Sequence, residues 1–145
     1  MKKFFLAAFF LVSAAAVADD AMVTINGSIV HDLSNPHSYQ GEFVFKPETS
    51  VTIMLTTCTS ANNCYQAMKK SFTGVTAFPI PFSLQVKKGV YALQVSVRSS
   101  GGAKEEVGDL VNEELIVVGK KDDEITVNAS GLEACTDPNS GGFCL

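Results

Sequence analysis

The chain has no tryptophan, only two histidines in 145 residues, and beyond residue 18 no apolar run long enough to cross a bilayer. Each scarcity excludes something. Sugar-binding platforms built on exposed tryptophan have no such residue to use. His31 and His37 lie in one turn-rich segment beside Asp32, with no cluster of acids or cysteines around them, and read as two solvated loop histidines. Basic residues are also few: 11 Lys and Arg against 15 Asp and Glu, with no basic stripe. That balance argues against nucleic acid and anionic lipid as partners.

The first eighteen residues differ from the rest. Lys2-Lys3, the apolar run FFLAAFFLVSAAAV and Ala16-Val17-Ala18 have the order of a secretory signal peptide. The expected mature chain starts near Asp19, leaving 127 residues, nine basic and fifteen acidic, with a net charge of −6. It is expected to be exported, to the periplasm or the medium, with no transmembrane segment. A chain of that length can bury a sizeable core as one domain over residues 19–145.

Four cysteines, Cys58, Cys64, Cys135 and Cys144, all fall in the exported part. An even count in an oxidising compartment reads as disulfides, with three connectivities formally open. Cys58 and Cys64 bracket TSANN, and Cys135 and Cys144 bracket TDPNSGGF; both segments are polar and turn-rich, which favours two local loops. The spacings are too wide for a structural zinc site.

Alternation dominates what remains. Phe78, Ile80, Phe82, Leu84 and Val86 share one parity, and Tyr91, Leu93, Val95 and Val97 share another, each interleaved with mostly polar residues. Period two marks strands with one buried face. Pro79 and Pro81 cannot donate to a ladder and place their segment at a sheet edge or a kink. Val23, Ile25 and Ile29 form a first strand, with Gly27 a bulge or close-approach point; Val51, Ile53 and Leu55 form another, and Glu42–Phe45 reads as a short one. Ala61–Lys70 is the one place where a helix could start. Glu105–Asn112 is ambiguous, Leu115–Val118 reads as a strand buried on both faces, and Ile125, Val127 and Ala129 close the pattern. These elements predict an all-β fold: a single antiparallel β-sandwich, immunoglobulin- or transthyretin-like, of six to eight short strands with two small disulfide loops. Its expected core contains Ile25, Ile53, Leu55, Phe82, Leu84, Tyr91, Leu93, Val95, Val117 and Val127.

Catalytic constellations fail by subtraction. Paired cysteines cannot serve as thiolate nucleophiles. The acidic pairs Glu105-Glu106, Glu113-Glu114 and Asp122-Asp123 are adjacent in sequence and point apart on a strand. Ser99–Lys104 lacks phosphate-loop spacing. The sequons Asn26-Gly27-Ser28 and Asn128-Ala129-Ser130 place both asparagines on the polar parity of their strands.

Gly27-Ser28-Ile29, then Pro47 with Val51, Ile53 and Leu55, then Pro79–Leu84 and Tyr91–Val97 together resemble the YbaY/YscW-type family of bacterial envelope lipoproteins, which includes secretion pilotins. The similarity runs from about Val23 to Val118. It implies a β-sandwich with a binding or assembly-chaperone role and no catalysis. Family members are lipidated on a cysteine after the signal; here Ala16-Val17-Ala18-Asp19 stands in that place, so this chain is expected to be unlipidated.

The leading functional expectation is therefore an exported binding module, an accessory or chaperone of envelope or secretion-apparatus assembly, that takes a protein or other macromolecule and needs no cofactor. Its expected contact residues are Thr59, Asn62 and Asn63 in one cysteine loop, Asp137, Asn139 and Phe143 in the other, and Pro79 and Pro81 on the proline-marked edge. The alternatives are a structural subunit of a surface fibre or adhesin, and a small hydrolase or inhibitor, for which no constellation is present. Peptide mapping of the non-reduced protein should recover Cys135 and Cys144 in one short cross-linked fragment; a fragment joining Cys135 to Cys58 or Cys64 would refute the local pairing.

Overall fold

In the computed structural model, residues 21–119, 123–134 and 143–144 are described. The signal segment, Cys135, Asp137 and Asn139 lie outside them, and so does the expected Cys135–Cys144 bridge. Among the described residues there is no helix, and none long and apolar enough to cross a membrane.

The alternating runs become strands with one dry face. β1 (Met22–His31), β2 (Ser50–Ser60), β3 (Asn63–Phe72), β4 (Ile80–Lys87), β5 (Gly89–Arg98), β6 (Leu110–Val118) and β7 (Asp123–Gly131) form one curled sheet in the order β3-β2-β5-β6-β7-β1-β4. Two short strands, β8 (Glu133–Ala134) and β9 (Phe143–Cys144), pair separately as an antiparallel ribbon. The parity read from the sequence is kept in β4, where Ile80, Phe82, Leu84 and Val86 are buried and the intervening residues exposed, and in β5, where Tyr91, Leu93, Val95 and Val97 are buried. One apolar cluster joins these side chains to Ile25, Ile29, Val51, Ile53, Leu55, Leu110 and Val127. Each fully buried Leu or Ile contributes about 1.5–3 kcal/mol from its removal from water.

Two details of β1 and β4 follow from the sequence. The prolines put β4 at the end of the sheet order. Gly27 is paired with Phe82, whose ring lies where a Cβ at position 27 would have to be. The glycine is a close-approach point, as its place in the middle of a strand suggested.

Several expectations need correction. The sheet is mixed, not antiparallel throughout: β1 and β7 run parallel over Ile25–His31 and Asp123–Ala129. β7 then meets β6 only at Ser130 and Gly131, against Val111 and Leu110, so the sheet curls and opens between these strands. The segment expected to start a helix is β3, a hairpin partner of β2 closed by the Cys58–Cys64 disulfide. Ala61, Cys64, Tyr65 and Met68 do recur at helical spacing, but ladder pairing with β2 and the packing of Met68 and Phe72 on the core override it. Glu42–Phe45 forms no strand; Phe43 is buried from a loop. β6 is not buried on both faces. Its inward residues pair with inward residues of β5, Asn112 with Val95 and Glu114 with Leu93, which turns Leu115 and Val117 outward. Val117, expected in the core, is 75% exposed.

Polar clamps tie the loops at one end of the sheet. Asp109 is buried, and its carboxylate accepts the Ser99 and Glu106 backbone N–H groups at 3.0 and 2.9 Å. The buried Thr49 hydroxyl accepts the Lys46 N–H at 2.8 Å and donates to the Ser99 carbonyl at 3.0 Å. Bonds of this kind are worth most by contrast with leaving the buried group unmade, about 1–3 kcal/mol. The Thr49–Lys46 bond closes the turn that follows Phe45, one wall of the site described below.

Leu93→Ala should lower the unfolding free energy by about 2–5 kcal/mol, and Val117→Ala by less than about 0.5 kcal/mol, the range of surface changes. Denaturant unfolding of both variants checks the parity of β5 and β6, and equal losses would show it wrong.

Candidate functional site

β1 ends on an inward position. Val23, Ile25, Gly27 and Ile29 precede His31 on the same parity, so the imidazole is carried to the rim of the core. It meets Phe78 there, and two more phenylalanines pack on Phe78. Phe78, from the segment before β4, lies 5.9 Å from the His31 ring centroid. Phe43 and Phe45, from the loop after β1, lie 5.6 and 4.9 Å from Phe78 and 5.0 Å from each other. All three phenylalanine pairs are edge-to-face, the arrangement favoured by ring quadrupoles and worth about 0.5–1.5 kcal/mol each beyond area burial. With Leu33, Gln40, Glu42 and Ala77, these rings line a concavity of about 530 Å³.

The local sequence explains how the walls are held. The Asp32 N–H donates to the Ala129 carbonyl at 2.8 Å, anchoring the loop as it leaves β1. The Asp32 carboxylate accepts the Ser34 N–H at 2.8 Å, and hydrogen bonds from Ser34 hold its pKa below the ordinary carboxylate value. Asn35 organises the next turn, its carbonyl taking bonds from Ser38 and Gln40. On the other side, the cis Phe78–Pro79 peptide leads into β4.

His31 is the polar element of the pocket. Its Nε2 is inaccessible to solvent and has no hydrogen-bond partner. Burial lowers the pKa of the imidazole below 6.5, and the neighbouring Asp32 charge opposes this only in part. Near neutral pH the ring is uncharged. A half-buried neutral imidazole set among phenyl edges can receive an apolar or aromatic group. Among the described residues, no three His, Cys, Asp or Glu side chains come together as a metal-binding group.

The expected contact residues do not converge. Thr59, Asn62 and Asn63 are exposed at the β2–β3 tip, where the Thr59 hydroxyl donates to the Asn63 carbonyl at 3.2 Å. The β2–β5 register puts that tip beside the start of β5, whereas the pocket lies at the end where Ser50 faces Arg98 and Ile29 faces Ile80. Strands of about ten residues separate the two ends, roughly 30 Å. Pro81 is exposed on β4 opposite Ser28, and Pro79 is exposed next to the pocket wall. The backbone of Phe143 lies in β9. The pocket residues were missed. His31 is not a loop residue but the last of β1, and its signal was available as the next inward position after Ile29. Phe43 and Phe45 were read as part of a short strand that does not form, and that reading held no sign of a pocket.

No family model matches the chain, and comparisons with curated proteins and with solved structures also find no match.

The lowered pKa makes His31 a source of pH-dependent stability. The unfolded chain takes up the proton first, so this contribution is present above the unfolded value of about 6.5 and is lost as pH falls from there towards the folded value. Melting curves between about pH 7.5 and 5 should show a smaller decline for His31→Gln than for the wild type; an identical decline would remove His31 as the cause.

Proposed function

We propose that this chain is an exported, non-catalytic binding module that holds a macromolecular partner by an apolar or aromatic side chain seated in the His31 pocket. The single observation that carries the reading is the gathering of three phenylalanine rings and the half-buried His31 ring around one concavity. Aromatic groups in a desolvated pocket are where interfaces concentrate their binding energy. A pocket fixed by strand ends and backbone clamps loses little entropy on binding.

Export is supported by the basic-apolar-small order of residues 1–18 and by the Cys58–Cys64 bridge. The similarity of Val23–Val118 to YbaY/YscW-type proteins supports an accessory or assembly-chaperone role in the envelope. Without a lipid-bearing cysteine at the cleavage site, that role is exercised as a soluble protein. The finer architecture we favour is a two-layer sandwich: β7, β1 and β4 form one layer, the remaining long strands the other, and two cysteine loops project from it. A fibre subunit joined by strand donation would need a free donor arm, and Val23, close to the expected mature start, is already buried in β1.

The test compares what the wild type, Phe78→Ala and a Thr59–Asn63 Gly/Ser replacement capture from the native envelope or secretome, with quantified affinity for the captured partner. Phe78→Ala should weaken binding on the order of thirtyfold, the loss of one hot-spot side chain, while the tip replacement leaves it unchanged. Full retention by a folded Phe78→Ala protein would refute the pocket as the contact. A hydrolytic activity abolished by one substitution would overturn the non-catalytic reading.

A further inference from the structure

Two further polar residues line the His31 concavity, Glu42 and Gln40, and both offer acceptors. Glu42 is exposed, and its carboxylate makes no hydrogen bond or ion pair among the described residues. Lys46 lines a neighbouring concavity that Glu42 also touches, but the two form no ion pair. No lysine or arginine lines the His31 concavity itself. Since the imidazole is uncharged near neutral pH, the lining carries one charge there, and it is negative.

Gln40 is held in place for its part. Its amide nitrogen donates to the Asn35 and Ser38 carbonyls at 2.7 and 3.0 Å and to the Ser38 hydroxyl at 3.2 Å. A carbonyl oxygen can only accept, so these bonds fix which end of the amide is nitrogen. They leave Oε1 as an acceptor without a partner among the described residues. Beside these groups the rim is apolar, with Leu33 half exposed. A concavity of about 530 Å³ is larger than one side chain, so a residue next to the seated group also meets this rim.

Charge complementarity selects that residue. We infer, and this rests on the pocket being the contact proposed above, that the partner is a segment with a lysine or arginine one or two positions from its seated apolar or aromatic side chain. The basic group meets the Glu42 carboxylate and Gln40 Oε1. Its aliphatic stem covers apolar surface such as Leu33 while the charged head stays at the rim, and phenyl faces attract cations as well. The 15 acidic residues of the chain against 11 basic ones favour encounter with a basic segment. The chain's own C-terminal tail does not supply the group, because no lysine or arginine follows Lys121.

The probe is a random-peptide display library selected on the disulfide-intact exported chain, followed by calorimetry of the enriched peptides. These should combine an aromatic or large aliphatic residue with a lysine or arginine within two positions. Exchanging the basic residue of a peptide for glutamine should weaken binding about threefold, and raised salt should remove most of that difference. Glu42→Lys should weaken the same peptides on the order of tenfold and turn a repeated selection towards acidic flanks. Glu113→Lys, a reversal on β6 outside the lining, should do neither. Circular dichroism establishes that each variant is folded, which the exposed position of Glu42 favours. Peptides that lose affinity for Phe78→Ala but show no basic flank, or keep their basic flank against Glu42→Lys, would overturn this inference and leave the pocket as the contact. Peptides that bind Phe78→Ala as tightly as the wild type would overturn both. A selection that enriches no peptide would overturn the inference as well.

Discussion

The fold depends on one apolar cluster shared by the two halves of a sheet whose backbone pairing alone would not hold them together. β7 joins the halves, pairing with β1 over seven residues but with β6 over only two. A two-pair ladder is a weak joint, because strands are stabilised mainly by cross-strand and facing side chains. What closes the curl is that Ile25, Ile29, Leu84 and Val127 on one half meet Ile53, Leu55, Leu93 and Val97 on the other in a single cluster. Gly27 belongs to the same constraint. The Phe82 ring fills the place of its side chain, so the fold accepts a strand glycine in exchange for a large aromatic in the core.

This division explains what could and could not be read from the sequence. β4 and β5 face the cluster along their whole length, and their parity was legible residue by residue. Pro79 and Pro81 announced an edge because proline chemistry is local. The pairing of Cys58 with Cys64 was legible for the same reason: the bridge closes a hairpin tip. The parallel contact of β1 with β7 was not legible, since it joins residues about a hundred positions apart and neither strand records its neighbour's direction. β3 was mistaken for a helix start because it lies on the surface at a sheet edge. There its side chains are mostly exposed, and its few apolar residues, Cys64, Tyr65, Met68 and Phe72, follow helical rather than strand spacing. In β6 the continuous apolar run Leu115–Val118 suggested burial on both faces, and only the register against β5 reveals which residues face water.

The candidate site lies between these extremes. His31 was one step away on the β1 parity, but a histidine at the end of an inward row looks like the start of a loop until the neighbouring aromatics are placed. Phe43, Phe45 and Phe78 come from segments without regular structure, positioned by tertiary bonds such as Asp32 to Ala129 and Ser99 to Val44. Loops held by a scaffold in this way are where proteins commonly place recognition. Periodicity placed Phe78 on the inward row that leads into β4 and Phe43 and Phe45 in a short strand, but it could not bring the three rings together.

The two ends of the sheet therefore answer to different physics. At the His31 end, buried polar clamps at Asp109 and Thr49 satisfy backbone groups of the loops and leave one ring nitrogen unpaired. Arg98 Nε at the same end is left unpaired as well, and a buried group left unmade is costly unless something else meets it. At the Val118 end the β6–β7 ladder has already stopped, leaving a gap lined by Ile116, Val117 and Val118 on one side and Ile25, Glu124 and Ile125 on the other, with Leu115 and Val117 exposed. In both places the chain tolerates a local deficit that its core could have avoided, by an apolar residue at 31 or a lysine in β6. Such deficits are where sequence and fold disagree locally, and functional surfaces are expected to be found among them.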